Sequence, residues 1–406
     1  MRRFAPLVAM AVVLATRAAR AAPSDTTTST DGRTEIDGLP IVGGDSDIGF
    51  GGGAVGAITR YAPGDEHRWE WRVVGSAFLT FRASPSFGVP YQDHWLQLIV
   101  PGLLGGKLRF DGRIAYTQEN SVEYYGLGNA TPTPVDYDSL RYVYQRTHPM
   151  IEMYGRIALA EHLYAIAGGT FTVDMLDVPP STLLARDMAV GSPEVRSLLG
   201  SAADHAVAIV QESVGYDDRD DEVVPRRGTW EQLDLRISPA LGSFVPYAYG
   251  EVLAVARAYE PIGSRVVLAV RGLADLLFGN PPFYQLAEYE DTYAIGGTAG
   301  VRGVPAQRYY GKIKVLGNLE ARIDMLHFEA VRKPWELALV TFFDAGRLWA
   351  DWKSQPALDG TGLGIKWGTG LGLRLQQGKA FVVRGDVAWS PDALPIAGYF
   401  AVGETF

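Results

Sequence analysis

The chain has 406 residues, a formal net charge of −9, a sequence pI of about 5.3 and a mean hydropathy close to zero. An acidic balance excludes the basic face that nucleic-acid binding requires, and the absence of cysteine excludes a disulfide framework. Forty-seven glycines and twenty tyrosines suit strands that twist, pack closely and end in aromatic girdles.

In chain order, Arg2 and Arg3 precede an apolar run, FAPLVAMAVVLA (residues 4–15), and Ala19-Arg20-Ala21 forms an A-x-A site. This is the pattern of a cleaved secretory signal over 1–21. As a helix the apolar run would span only about 18 Å, against a hydrocarbon core of roughly 30 Å. Residues 22–36, APSDTTTSTDGRTEI, are polar and low in complexity, which predicts a disordered periplasmic lead-in. That segment leaves no room for a soluble periplasmic domain, which needs about 50 residues. No later stretch offers about 20 uninterrupted apolar residues, so no membrane-spanning helix is expected.

From residue 37 to 406 the dominant period is two. In 312–325, Lys312, Lys314, Asn318, Glu320, Arg322 and Asp324 alternate with Ile313, Val315, Leu319, Ala321, Ile323 and Met325. Residues 107–117 set Lys107, Arg109, Asp111 and Arg113 against Leu108, Phe110, Ile114 and Tyr116. Residues 367–376 and 381–390 oppose Leu371, Leu373, Val387 and Trp389 to Arg374, Gln376, Arg384 and Asp386. Sixteen strands are predicted, at 38–44, 47–60, 69–83, 92–103, 107–119, 141–158, 162–176, 205–217, 229–238, 245–259, 264–276, 312–326, 335–349, 365–376, 380–390 and 399–406. A soluble sheet would also alternate. These strands are longer than the usual five or six residues of soluble sheets, and no helical layer covers their apolar faces. The prediction is an all-β transmembrane antiparallel barrel in contact with outer-membrane lipid.

An even count puts both ends of the barrel on one side. The longer connections, 120–140, 177–204 and 277–311, are then expected outside the cell, and the turns at 62–68, 238–243 and 327–334 inside. Residues 181–202 are expected to add a short helix to an outer loop.

Within this frame, Gly296-Gly297 leads to Val301-Arg302-Gly303, and Leu316-Gly317-Asn318-Leu319-Glu320 follows. Earlier stands YDDRDDEVVPRRG (216–228), with Asp217, Arg219, Pro225 and Gly228 in a D-x-R…P-x-x-G turn. Later come FFDAG (342–346), with Phe342, Asp344 and Gly346, and GTGLGLRL (368–375). YYGLGN (124–129) and DIGFGGGAVGA (47–57) also fit. In this order the pieces resemble the bacterial surface antigen family, the outer-membrane barrel superfamily that includes BamA and TamA, over nearly the whole mature chain. The sequence departs from the family where an aromatic residue usually follows V-R-G. Here Val304 and Pro305 follow, and the aromatics come at Tyr309 and Tyr310.

The resemblance implies an extracellular loop folded back into the barrel, with Arg302 and Gly303 meeting the strand of Phe342, Asp344 and Gly346. Phe342 and Asp344 are two apart and so share a face, which permits the pairing. The last residues, Phe400, Val402, Gly403 and Phe406, resemble the terminal signal read by the barrel assembly machinery that would insert this chain. Phe400, Val402 and Phe406 are expected on one face.

Catalysis is not expected. No G-x-S-x-G or H-E-x-x-H occurs, and the six histidines are scattered. No cofactor or metal is predicted, and the acidic run Asp217–Glu222 reads as a solvated turn, because it lacks the glycine-spaced loop of a calcium site. The superfamily's activity, inserting or moving polypeptides across the outer membrane, is implied by resemblance alone. An unidentified periplasmic partner or client protein would accompany it. The alternative is a passive pore or lipid-related barrel without insertase activity.

Overall fold

The computed structural model describes residues 33–406 apart from 46–47, 64–68, 83–87, 138, 290–291, 331–332, 378–380 and 393–395. The signal over 1–21 and most of the lead-in lie outside the described residues. The end of the lead-in does not match its expectation: Thr34, Glu35 and Ile36 already belong to the first strand.

The strands are β1 (Thr34–Asp45), β2 (Gly49–Tyr61), β3 (Trp69–Phe81), β4 (Tyr91–Gly102), β5 (Leu108–Glu123), β6 (Val143–Ala158), β7 (Leu163–Asp177), β8 (His205–Asp217), β9 (Gly228–Ser238), β10 (Tyr249–Ile262), β11 (Val266–Gly279), β12 (Glu288–Tyr289), β13 (Thr292–Tyr293), β14 (Ile313–Ala330), β15 (Lys333–Trp349), β16 (Lys366–Gln377), β17 (Phe381–Trp389) and β18 (Ala397–Val402). Sixteen of them close one antiparallel barrel; β11 pairs directly with β14, and β18 returns to β1. The two-residue strands β12 and β13 pair only with each other. No described helix is long and apolar enough to cross a membrane.

The wall follows from the alternation. On β14, Lys314 and Glu320 are fully buried while Val315 and Leu319 face outward at 41% and 45% exposure. On β16 and β17, Arg374 and Asp386 point into the lumen, and Leu371 and Val387 stand on the outer face. That outer face also carries stacked aromatics: Phe343 and Trp367 have ring centroids 5.9 Å apart, and Trp367 meets Trp389 edge-on at 5.2 Å.

Connections alternate between the two ends. The segments 124–142, 178–204, 280–312 and 350–365 follow odd wall strands and share one end. The 238–243 turn, expected at the opposite end, also lies there, because it follows the ninth wall strand and strand parity, not loop length, sets the side. The connection it belongs to, residues 239–248, packs beside the 178–204 segment and the start of β8, with Ala206 N donating to Phe244 O at 2.7 Å and Tyr247 Oη to Ser201 O at 3.2 Å.

The 178–204 segment contains two helices, Leu183–Val190 and Pro193–Leu199. Thr182 and Ser192 cap them by accepting from Ala185 N at 3.2 Å and Val195 N at 3.3 Å. Leu184, Leu198 and Leu199 join Tyr124, Tyr144, Phe283, Tyr284 and Tyr310 in an apolar plug at the long-loop end. The 280–312 segment continues inward. Its Ala294, Ile295, Val301 and Val304 pack on Leu253, Leu273, Leu316 and Leu348 of β10, β11, β14 and β15.

The outward row predicts a lipid-dependent cost. Leu371→Arg, midway along β16 on the outer face, is expected to lower folding free energy in lipid vesicles by about 2–4 kcal/mol. Tryptophan fluorescence in a urea titration reads this change, and an unchanged midpoint would place residue 371 away from lipid.

Candidate functional site

Arg302 lies at the tip of the inserted segment with none of its surface exposed. Its main-chain N donates to Asp344 Oδ2 at 3.1 Å, its Nε to the same oxygen at 2.7 Å and its Nη2 to Oδ1 at 3.0 Å. This is the two-pronged guanidinium–carboxylate geometry. Nη1 donates to Glu320 Oε1 at 2.8 Å, Thr405 Oγ1 at 3.3 Å and Asp386 Oδ2 at 3.4 Å. The Phe342 ring supplies a face, its centroid 3.5 Å from the guanidinium carbon.

A second ring of contacts holds those acceptors. Arg322 Nε donates to Glu320 at 2.9 Å, Arg374 Nη1 to Asp386 at 2.6 Å, and Arg374 Nε to Glu404 at 3.0 Å. Arg384 reaches Asp386 at 3.4 Å and Thr298 Oγ1 at 2.7 Å. Asn318 Nδ2 donates to Asp344 Oδ1 at 2.8 Å and to Gly300 O at 2.9 Å, tying wall to loop. Arg302, Arg322, Arg374 and Arg384 thus face Glu320, Asp344, Asp386 and Glu404, four cations against four anions. Removing such charges from water costs several kcal/mol each, so only a closed, balanced set is tolerable.

The backbone permits this approach at three glycines. Gly303 has φ +94°, its N–H donates to Tyr399 Oη at 2.9 Å, and a Cβ there would lie 2.9 Å from the Trp389 carbonyl carbon. At Gly368, a Cβ would overlap the carbonyl oxygen of Arg302. Gly346 sits where a side chain would overlap Ile295 of the inserted segment. Val304, standing where the family has an aromatic residue, is fully buried and turns back to donate to Val301 O at 3.2 Å. Tyr310, further on, donates to Glu123 O at 2.7 Å.

The β8–β9 turn is built from its own polar groups. Arg219 donates to both carboxylate oxygens of Asp217 at 2.8 and 2.9 Å, Pro225 is buried, and Gly228 begins β9 with φ +100°. Asp220 accepts from Arg226 N at 2.9 Å, and the Arg226 side chain reaches Asp324 of β14 at 2.7 Å. The bond to Asp324 holds the Arg226 guanidinium above its ordinary pKa.

The end of the chain differs from the expected single face. β18 stops at Val402, and Gly403, with φ +98°, turns residues 404–406 into the lumen. Phe400 stays on the wall, whereas Phe406 packs with Tyr259, Val267 and Ala269 and its main-chain oxygen accepts from Arg322 Nη2 at 3.0 Å. The side chain of Val402 lies outside the described residues. Among the described residues the seam between β1 and β18 consists of two pairs, Gly44–Phe400 and Asp45–Tyr399, although β1 pairs with β2 along all of Thr34–Asp45.

The alternation placed Glu320, Arg322, Arg374, Arg384 and Asp386 on the lumenal face, but not their mutual contacts. Those depend on strand order and stagger. Thr405 and Tyr399 gave no signal at all.

A family model described as Omp85 superfamily domain matches residues 171–406. Among solved structures the chain is similar to BamA from Haemophilus ducreyi lacking POTRA domains 1–3, at 15% identity and TM-score 0.60, covering 92% of this chain and 70% of that one. It is also similar to CdiB from Escherichia coli, at 13% identity and TM-score 0.56, covering 91% and 62%. CdiB from Acinetobacter baumannii follows at 10% identity and TM-score 0.50, covering 91% and 59%. At these identities the likeness concerns the fold. No curated protein matches.

The network makes Arg302 the residue whose loss is least tolerable. Arg302→Ala strands Asp344, Glu320 and Asp386 and is expected to cost about 3–5 kcal/mol, seen as loss of the heat-resistant folded band in a gel. Arg302→Lys keeps the charge without the fork and is expected to recover only part of that band. Gly368→Ala, which drives a methyl group into the Arg302 carbonyl oxygen, is expected to match Arg302→Ala. Parent-like heat resistance in all three would remove the anchoring role.

Proposed function

We propose a function from one premise: the chain belongs to the Omp85 superfamily. On that footing it is an outer-membrane barrel that assists insertion of strand-forming polypeptides at the seam between β1 and β18. A periplasmic partner delivers the client, and the barrel assembly machinery inserts the protein itself.

The carrying observation is the shortness of that seam. Residues 34–43 of β1 have paired neighbours on the β2 side alone among the described residues. In hydrocarbon an unpaired backbone N–H or C=O has no water to bond and costs several kcal/mol. A strand edge held at membrane depth is therefore a template for an incoming strand, as exposed sheet edges are elsewhere. Each backbone hydrogen bond contributes only about 1 kcal/mol net, so a seam with two residue pairs among the described residues opens more readily than the longer pairings beside it. The inserted segment and the apolar plug, which occupy the lumen, favour this reading over a passive pore.

A disulfide tests the seam, since the chain has no cysteine of its own. The register of Gly44 with Phe400, continued by one residue, sets Gly43 opposite Ala401. In lipid vesicles the parent is expected to speed folding of an unfolded outer-membrane barrel client. Gly43→Cys with Ala401→Cys is expected to lose this effect when oxidised and regain it on reduction. A locked barrel as active as the parent would defeat the proposal, and large steady currents in planar bilayers would favour the pore.

A further inference from the structure

The charge balance around Arg302 does not extend across the lumen. At the short-turn end a cavity of about 710 Å³ is bounded by β5 to β10, by Thr292 of β13 and by the β8–β9 turn. Six arginines line it, Arg109, Arg113, Arg156, Arg219, Arg236 and Arg257, with the carboxylates of Asp111, Glu152 and Glu222; Asp217 and Glu251, which pair with lining arginines, bring the count to six cations against five anions. Four of the six have carboxylate partners: Arg109 with Asp111 at 2.8 Å, Arg113 with Glu152 at 3.6 Å, Arg219 with Asp217 at 2.8 Å and Arg236 with Glu251 at 3.0 Å.

Arg156 and Arg257 have none. Among the described residues neither makes a hydrogen bond or ion pair, and Arg257 Nε is buried without an acceptor. Each instead lies over an aromatic face: Arg156 is 3.7 Å from the ring centroid of Tyr164, and Arg257 is 4.5 Å from that of Trp230. Stacking holds a guanidinium by its face and leaves its N–H edge open in the plane. Arg257 also stands opposite Arg271 in the β10–β11 register, where like charges repel. A buried donor without an acceptor and a surplus of positive charge both cost free energy, and one ligand relieves both.

We propose that this chamber is a binding site for phosphate or a phosphate ester. The forked N–H edges of stacked arginines match pairs of phosphate oxygens. A phosphate monoester offers three strong acceptor oxygens to the two guanidinium edges, one more than a carboxylate does. An acidic peptide fits less well, because the closed wall presents no strand edge to the lumen and recognition rests on guanidinium tips. The volume falls in the range of small-ligand pockets, roughly 300–1,000 Å³. The site is separate from the seam and does not depend on the activity proposed there.

Titration calorimetry of the folded protein in maltoside detergent tests it, with pyrophosphate and a soluble short-chain phosphatidic acid as separate probes and sodium chloride matching ionic strength. One saturable site for pyrophosphate is expected, weakened at least about tenfold by Arg257→Gln and by Arg156→Gln, and only partly by Arg257→Lys. Neither glutamine variant breaks an ion pair, so both are expected to keep the heat-resistant band. Binding of the phosphatidic acid alone would assign the phosphate to a lipid headgroup, still in this site. No heat from either probe, equal binding in the variants, or an effect that chloride reproduces would overturn the proposal.

Discussion

The structure depends on a charge placed where water does not reach. Arg302 is fully enclosed, and an enclosed guanidinium must be matched in charge, in hydrogen-bonding capacity and in shape. Asp344 provides the fork, Phe342 the face, and Glu320 and Asp386 the remaining charge. Each acceptor is itself enclosed and needs its own cation, which is why Arg322, Arg374 and Arg384 occupy neighbouring lumenal positions. The inserted segment cannot leave without exposing or stranding this whole set. Its position is thus fixed by neutralisation more than by the apolar contacts of Val301 and Val304, which another hydrophobic surface could replace.

The same requirement shapes the seam. Continued past Phe400, the β1–β18 register would set Ala401, Val402 and Gly403 against Gly43, Val42 and Ile41. The chain instead turns at Gly403, and Glu404 and Thr405 go to Arg374, Arg384 and Arg302. Residues that could lengthen the wall complete the interior network. A barrel closed along its full height would leave Arg374 short of one carboxylate, and with the network completed residues 34–43 of β1 have no partner on the β18 side among the described residues. Loop anchoring and seam strength are therefore coupled through one short segment.

Much of this wall was legible from residue order. Alternation over 312–325 and 381–390 identified the lumenal charges, because a strand's side chains have no other period. The sixteen-strand count followed from repeated runs of that kind. What alternation cannot carry was lost where a strand ends. Phe406 was assigned to the face of Phe400, yet the positive φ of Gly403 cancels parity beyond Val402. The 238–243 turn was placed by its length, although strand order places it at the other end. Contacts such as Arg302 with Glu320 and Thr405 join segments 18 and 103 residues apart and depend on stagger around the cylinder, which no local pattern encodes.

The lumen consequently divides into two electrostatic regimes. Around β14 to β18, four cations and four anions are joined in one hydrogen-bonded set, with Arg322 Nη1 and Arg384 Nε buried beside it without acceptors. Along β5 to β10 the ion pairs are separate, two of them between near neighbours in sequence, Arg109 with Asp111 and Arg219 with Asp217, and two across strands, Arg113 with Glu152 and Arg236 with Glu251. Pairs of that kind neutralise themselves but lend nothing to a third cation, so Arg156 and Arg257 keep their charge. Resting against Tyr164 and Trp230, these two are oriented without being discharged, the condition under which a guanidinium retains its affinity for an arriving anion.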